Sequence, residues 1–534
     1  MKRFLFLLFV WAQPLHVAYP LNPPEELVVA FLPGQISLNP LNAFSATEAQ
    51  VYTALYEGLV SYDPATLDPV PGAASSWEVS SDGKTYTFRI REEAKFSNGD
   101  PVTAMDFRNS WLKFLHPDTK AEYSFLYDII AGARDYRTGK NPDPNSVQIR
   151  VLSEKRFQVV LEHPSTHFLK ILCHHSFVPI HPSLLEQKDW NSLSEVPGNG
   201  PYRIVERKPD AWILKKNPHY WDAANVSIET LRFLFVQDPL SVTRRFNDYE
   251  IHWVAGGMSI DQVLYKDTII VNPMFATYYF FFYTRDEPWK DARVRRAMAL
   301  LIPWEKVRTK DIQFLPAKTL VPPLPRYPKP VTLEAANREE AFALLKEAGF
   351  PEGKGLPTVV FKIPEGEENR IVAALFAAAW KEALGLDSQI QTYPYPEYLT
   401  ILKEGGFTLG TVSWIGDFAD PLTFLQMWTT HSNLNDAKYA DPEFDALIEK
   451  SFQQAGQERY KTLSEAESIL LKRAVVLPIG HSPAINLIDL QFLSGWYPNP
   501  LDIHPFKYLK FTPFKPLPGV IQRKEALPYL SRGF

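Results

Sequence analysis

The chain has 534 residues, 45% apolar and 22% charged, which is more than one hydrophobic core holds, since single cores stop growing at about 250 to 300 residues. A formal net charge of −5 without a dense basic cluster argues against nucleic acid as a partner, and 46 Pro, 35 Phe, 24 Tyr and 13 Trp describe a folded body with aromatic surfaces. Cys173 is the only cysteine, so no intrachain disulfide forms and stability must come from core size.

Lys2 and Arg3 precede the apolar run Phe4 to Ala12, too short to cross a bilayer, and together they predict a secretory signal over residues 1–18, with an uncleaved anchor as the alternative. No cysteine lies near that segment, so a lipid anchor has nothing to attach to and a soluble exported protein is expected. Leu27 to Leu32 reads as a short strand, and Glu48 to Gly58 as a helix stopping at a glycine, with Tyr52, Leu55 and Tyr56 on one face. Tyr86, Phe88 and Ile90 alternate with polar residues, a strand, and Ser97-Asn98-Gly99-Asp100 supplies a turn. Thr103 then caps a helix with Asp106 three residues on, Val102 and Phe107 are spaced as a hydrophobic staple, and Trp111 continues the buried stripe. Gln148 to Glu162 carries two alternating runs, and Ile228 to Val236 reads as a buried strand. Val294 to Ile302 reads as a helix whose Arg293, Arg295 and Arg296 form a cationic face. Leu315 to Pro330, rich in proline and without periodicity, reads as a loop. Asn337 to Gly349, Ile371 to Gly385, Pro442 to Phe452 and Glu458 to Lys472 read as helices, and Val359 to Ile363, Phe407 to Trp414 and Val475 to Ile479 as strands. Helix, strand and helix in succession imply a parallel or mixed sheet.

The residues around the Thr103 helix resemble the signature of the extracytoplasmic solute-binding proteins of the peptide/nickel-binding family. The matching positions are Trp77, Asp82-Gly83-Lys84-Thr85-Tyr86-Thr87-Phe88, Ile90-Arg91, Lys95-Phe96-Ser97, Gly99, Pro101-Val102-Thr103-Ala104 and Asp106-Phe107. Ser37-Leu38-Asn39-Pro40, Tyr56-Glu57-Gly58-Leu59, Pro197 to Tyr202 and Asn217 to Trp221 are similar to further elements of that family, with Asn39 departing from the usual Asp. The resemblance implies an α/β fold: a two-lobed periplasmic binding protein, class II-like, with an additional inserted subdomain. Residues 19–56, 178–275 and 483–534 would form lobe I, 57–177 the inserted subdomain (lobe II) and 276–482 lobe III, with chain crossings near 275 and 482 that permit hinge closure. It also implies a bacterial, periplasmic, monomeric protein that binds peptides, oligopeptides or dipeptides, and delivers them to the transmembrane permease of an ABC transporter. No enzyme activity, cofactor or metal is expected. Receptors of the same fold for a nickel chelate, sugar or haem, and a secreted enzyme or adhesin, are the alternatives.

The segment Val412 to Pro421, VSWIGDFADP, ends a strand at Trp414, continues through Ile415, turns at Gly416 and presents Asp417. It resembles the family motif W-x-[GA]-D-x-x-[DE]-P, whose Asp receives the ligand's α-ammonium while the preceding strand pairs with the peptide backbone. A helix-capping Asp is the alternative, although Asp420 is better placed to cap. Arg370 matches a carboxylate-binding Arg of dipeptide-binding members; a solvated Arg beside Glu367 and Glu368 is the other reading. Asn369 and Thr411 stand where oligopeptide-binding members carry cations, and Ala276 and Ile415 where some carry a disulfide. Tyr278, Tyr279, Tyr283, Trp289, Trp414 and Phe418 line side-chain pockets or, alternatively, fill the core. Cys173-His174-His175 is a poor metal site, because adjacent residues point in different directions. No Gly-rich phosphate loop, G-x-S-x-G elbow or HExxH is present, which removes the minimum apparatus of kinases, hydrolases and metalloproteases.

Overall fold

Two long strands, Ile269–Phe282 and Val476–Ile488, lie side by side and antiparallel, and the sheet that positions the site grows outward from both. The computed structural model describes residues 24–512 apart from Pro33, Gln35, Phe44, 310–313 and 333–336. The predicted signal at 1–18 and the chain after Thr512 lie outside the described residues. Beside Ile269–Phe282 come Leu409–Ile415, Val359–Pro364 and Ser388–Tyr393; beside Val476–Ile488 come Trp253–Val254, Leu27–Phe31, Thr230–Phe235, Ala211–Lys216 and Tyr202–Arg207. The pairing is mixed: Leu27–Phe31 is parallel to both its neighbours and Val359–Pro364 is parallel to Ser388–Tyr393, whereas the long pair is antiparallel. This is an α/β, two-lobed architecture, and helices such as Arg338–Glu347 and Glu367–Leu384 cover the second half of the sheet with their own apolar core around Phe361, Phe376 and Trp380.

The ladder between the long strands is interrupted where Pro273 faces Pro483 and resumes, shifted, at Thr277 opposite His481. Proline has no N–H to give the ladder, and Phe275 N–H donates instead to the carbonyl of Pro500 at 2.7 Å. The Val475 to Ile479 strand expected from sequence is therefore only the start of a 13-residue strand. Leu315–Pro316, expected as loop, adds a two-residue strand opposite His481 and Gly480.

A separate four-stranded antiparallel sheet, Ala74–Val79, Thr85–Ile90, Arg156–Val160 and Ile149–Ser153, carries the helix Ala104–Leu115. The helix starts as the sequence predicts. Thr103 Oγ1 accepts from Asp106 N–H at 3.3 Å and Asp106 Oδ2 accepts from Thr103 N–H at 2.7 Å, while Val102, Phe107 and Trp111 are fully buried.

Two further sequence expectations are corrected. The first long helix is Ala46–Leu55, ending before Gly58: Tyr56 is already extended, and tertiary contacts stop the turn, because Gly200 N–H donates to Leu55 C=O at 2.9 Å and Asn199 Oδ1 accepts from Glu57 N–H at 2.9 Å. A Cβ on Gly200 would lie 2.5 to 2.7 Å from the backbone at Ala54, Leu55 and Tyr56, so only glycine permits this approach. The helix Ala292–Leu300 has no continuous cationic face either. Arg295 is 2% exposed and donates to the carbonyls of Trp289, Lys290 and Arg473 at 2.7 to 3.1 Å, so it ties the helix start to its surroundings.

Candidate functional site: a cleft ending on a buried carboxyl

The strand Leu409–Ile415 is paired unequally on its two edges. Along Ile269–Phe282 it is hydrogen-bonded throughout, from Phe282 opposite Leu409 to Ala276 opposite Ile415, whereas Val359–Pro364 meets it at Leu409 alone. Just beyond, the Tyr398 hydroxyl accepts from Thr411 N–H at 2.8 Å and donates to Thr411 C=O at 2.9 Å. Alternation along an antiparallel pair then turns the N–H and C=O of Ser413 and Ile415 the same way, off the strand. Gly416 N–H, in the opposite phase, donates to Phe275 C=O at 2.8 Å. Ser413 and Ile415 both line a cavity of about 240 Å³.

The other walls come from distant stretches: Tyr52 on the first helix, Glu57 and Tyr62 just after it, Tyr123, the Cys173 to His175 turn, and Lys507 near the end of the described chain. At the strand's end Asp417 is 9% exposed. Its N–H donates to Thr423 Oγ1 at 2.8 Å, and that hydroxyl donates to the carboxylate at 3.1 Å. Tyr62 adds a hydroxyl to the Asp417 carbonyl at 3.3 Å. Burial pushes the Asp417 carboxyl up to about 7, hydrogen bonds from Thr423, its own backbone and Tyr123 offsetting part of the effect. His174 Nε2 stands 3.7 Å away, but burial and the adjacent His175 hold this imidazole well below its usual range, so it is neutral and no ion pair forms. Among the described residues no lysine or arginine reaches Asp417 at salt-bridge distance. The site is therefore a short open strand edge that ends on a buried carboxyl without a cation, an arrangement suited to a chain with a free ammonium at one end.

Trp414, Ile415 and Gly416 also line the cavity. Trp414 is 5% exposed, its indole N–H donating to Thr423 C=O at 3.2 Å, and a Cβ on Gly416 would lie 2.6 Å from the Phe275 ring, so no side chain fits there. Tyr279 sits behind the strand, against Trp428 in a separate cavity of about 20 Å³ that Trp414 also lines. Tyr278 points to the opposite side of the sheet, stacked on Phe314 with its hydroxyl donating to Asn369 Oδ1 at 2.8 Å. Arg370 is exposed on the first turn of Glu367–Leu384 and does not line the cavity. Tyr283 packs on Phe407, Trp289 on Phe282, and Phe418 on His167. Asp420 accepts from Leu422 N–H at 3.0 Å and takes both terminal nitrogens of Arg459 at 2.7 and 2.8 Å.

Sequence reasoning missed Tyr62, Tyr123, Glu57 and Lys507 as wall residues. Glu57 accepts from Tyr220 Oη and Trp221 Nε1, each at 2.6 Å, and its carboxylate meets Lys507 Nζ at 2.7 Å. The family-like Tyr56-Glu57-Gly58-Leu59 and Asn217 to Trp221 elements were visible, but nothing local shows that one binds the other. Cys173 is half-buried in the same wall, its thiol 3.4 Å from the Ser61 carbonyl.

Residues 68–436 match the family model of the bacterial extracellular solute-binding proteins, family 5 Middle. The periplasmic oligopeptide-binding protein OppA of Salmonella typhimurium is 31% identical over 486 residues, 87% of this chain and 89% of that protein. The crystal structure of Haemophilus influenzae OppA in complex with RPPGFSPFR superposes with a TM-score of 0.82 at 26% identity, covering 92% of this chain and 100% of that one. The murein tripeptide binding protein MppA of Escherichia coli, 27% identical, gives 0.82 in one structure, over 91% of this chain and 98% of its own. Its unliganded open form gives 0.63 over 91% and 97%. Both MppA structures are 27% identical to this chain.

Proposed function

The chain belongs to the bacterial extracellular solute-binding proteins, family 5, and on that premise we propose that it is the exported, periplasmic, monomeric peptide-binding component of an ABC importer. It holds its ligand in the cleft between lobes and passes it to the membrane permease without turnover. The observation that carries this reading is the open edge at Ser413 and Ile415 running into Asp417. A peptide backbone adds to such an edge as an extra strand, and its α-ammonium supplies the cation that the buried carboxyl lacks. A sugar or metal chelate offers neither feature. In this reading residues 19–56, 178–275 and 483–534 form one lobe, 57–177 an inserted subdomain and 276–482 the other lobe, hinged where the long strands break register at Pro273 and Pro483. A cavity of about 240 Å³ is below the roughly 300 to 1,000 Å³ of drug-sized ligand sites, which favours a short peptide over a long one. Arg370, outside the wall, would be met only by ligands long enough to leave the cavity.

Calorimetric titration of the purified chain with free and N-acetylated short peptides tests the reading. Free peptides are expected to bind at about 1 μM or tighter, N-acetylation to weaken them by about a hundredfold or more, and the radius of gyration by X-ray scattering to fall on saturation. Equal affinity for both peptide forms would remove Asp417 from ligand binding, and an unchanged radius would remove hinge closure.

A further inference from the structure

A second, polar recess of about 190 Å³ opens where Thr166, His167 and Lys170 face Asp420, Arg459 and the loop residue Arg326. Its charges do not balance. Asp420 is consumed by the bidentate pair with Arg459, both side chains under 10% exposed, which leaves Lys170 and Arg326. Among the described residues neither of them has a carboxylate within salt-bridge distance. The buried wall also carries unused polar nitrogens: Arg459 Nε and His167 Nε2 have no hydrogen-bond partner although the residues are 3% and 5% exposed. The 17-residue helix Gly456–Lys472 begins at the same place, with Gly456 and Gln457 in the recess wall and no side-chain cap from Ala455. The acid of its first turn, Glu458, is held by Gln454 Nε2 at 3.1 Å and lies outside the wall. A helix start adds about half a positive charge and unbonded N–H groups.

We propose that this recess binds a small doubly charged oxyanion, phosphate or sulfate, between Lys170, Arg326 and the start of the helix Gly456–Lys472. The formal excess of two positive charges matches such an ion, and N–H groups at a helix start are suited to its oxygens. Lys170 and His167 belong to the stretch that also supplies Cys173 to His175 of the cleft, whereas Arg326, Asp420 and Arg459 lie on the Asp417 side, so a bound anion ties together the two sides that enclose the cleft. Anion and cleft ligand then favour the same arrangement, and each strengthens the other by the same factor.

Titrating sodium sulfate and sodium phosphate into the full chain by calorimetry, without peptide and against sodium chloride at equal ionic strength, tests the site independently of the peptide reading. Saturable heats are expected with sulfate and phosphate and none with chloride. Lys170 and Arg326 are not buried, so the double variant Lys170→Gln/Arg326→Gln keeps the fold and is expected to weaken the anion by about tenfold or more. Glycerol phosphate binding as well as inorganic phosphate would assign the site to phosphate monoesters, and its exclusion to the free ion. Heats unchanged in the double variant, or absent from wild type up to about 50 mM anion, would overturn the proposal.

Discussion

Asp417→Asn is expected to nearly abolish binding of free peptides and at the same time to make the empty protein harder to unfold above pH 7. Both effects follow from a carboxyl that is buried, titrates near 7 and has no resident cation. Removing one partner of a buried charge pair costs about 3 to 5 kcal/mol, several hundred- to several thousand-fold in dissociation constant. N-acetylated peptides have already lost the ammonium and should lose little more. Calorimetry on the four combinations of wild type or variant with free or acetylated peptide isolates the coupling, and a value below roughly 1 kcal/mol would mean that Asp417 does not meet the ammonium.

The stability effect has the opposite sign. An ordinary aspartate titrates near 3.8, so the empty folded chain holds this proton more tightly than the unfolded chain does. Below 3.8 both states are protonated and there is no penalty; stability is lost as pH rises, and above 7 the whole cost of ionising the group in place, roughly 4 kcal/mol, opposes folding. Asparagine carries no such cost. Denaturation midpoints of wild type and variant should therefore converge at pH 4 and separate at pH 8, the variant being the more stable. Affinity follows the same proton: below about 7 the empty site must release it to receive an ammonium, so wild-type affinity should fall by about tenfold per pH unit on acidification. The residual binding of the variant should stay flat.

Lys507→Met is expected to destabilise the protein by about 3 to 5 kcal/mol, a large share of the 5 to 15 kcal/mol typical of a folded domain. The side chains of Lys507 and Glu57 are 7% and 4% exposed and 2.7 Å apart. Burial alone would lower the Lys507 ammonium, but Glu57 together with Tyr508 more than offsets that and holds it charged. Without the lysine, Glu57 keeps two hydrogen bonds, from Tyr220 and Trp221, and no counter-charge. Glu57→Gln/Lys507→Met should recover most of the loss in urea titrations, because the amide carbonyl accepts from the Trp221 indole while its NH2 donates to the Tyr220 hydroxyl, which can accept as well as donate. A single variant within 1 kcal/mol of wild type but unable to bind peptide would instead make Lys507 a ligand contact.

Local chemistry in this chain was legible and distant chemistry was not. Thr103 and Asp106 cap each other across three residues, so their helix could be read directly, and Pro442–Phe452 matches its predicted span. Ser388–Tyr393 escapes a sequence reading because SQIQTY sits at the sheet edge, with no buried residue and no apolar alternation to announce it. Val476–Ile488 was cut short because Pro478, Gly480 and Pro483 break its pattern, and its pairing with Ile269–Phe282 is invisible locally. Arg295 reads as one of three exposed cations, yet three backbone carbonyls bury it. In the cleft the Trp414 to Asp417 motif stood out, whereas Tyr62 reaches Asp417 from 355 residues away.

The single thiol of Cys173 makes the molecule its own gauge of opening. It stands in the cleft wall, and burial pushes its thiol above the usual range, so it stays protonated and slow to react while enclosed. With no second cysteine in the sequence, a maleimide dye has one address and needs no engineered label. Its rate of attachment counts excursions of the wall into solvent, and saturating peptide should slow that rate by the fraction of time the wall is held shut. A rate indifferent to peptide would mean that the sulfur is reached by some route other than the mouth of the cleft.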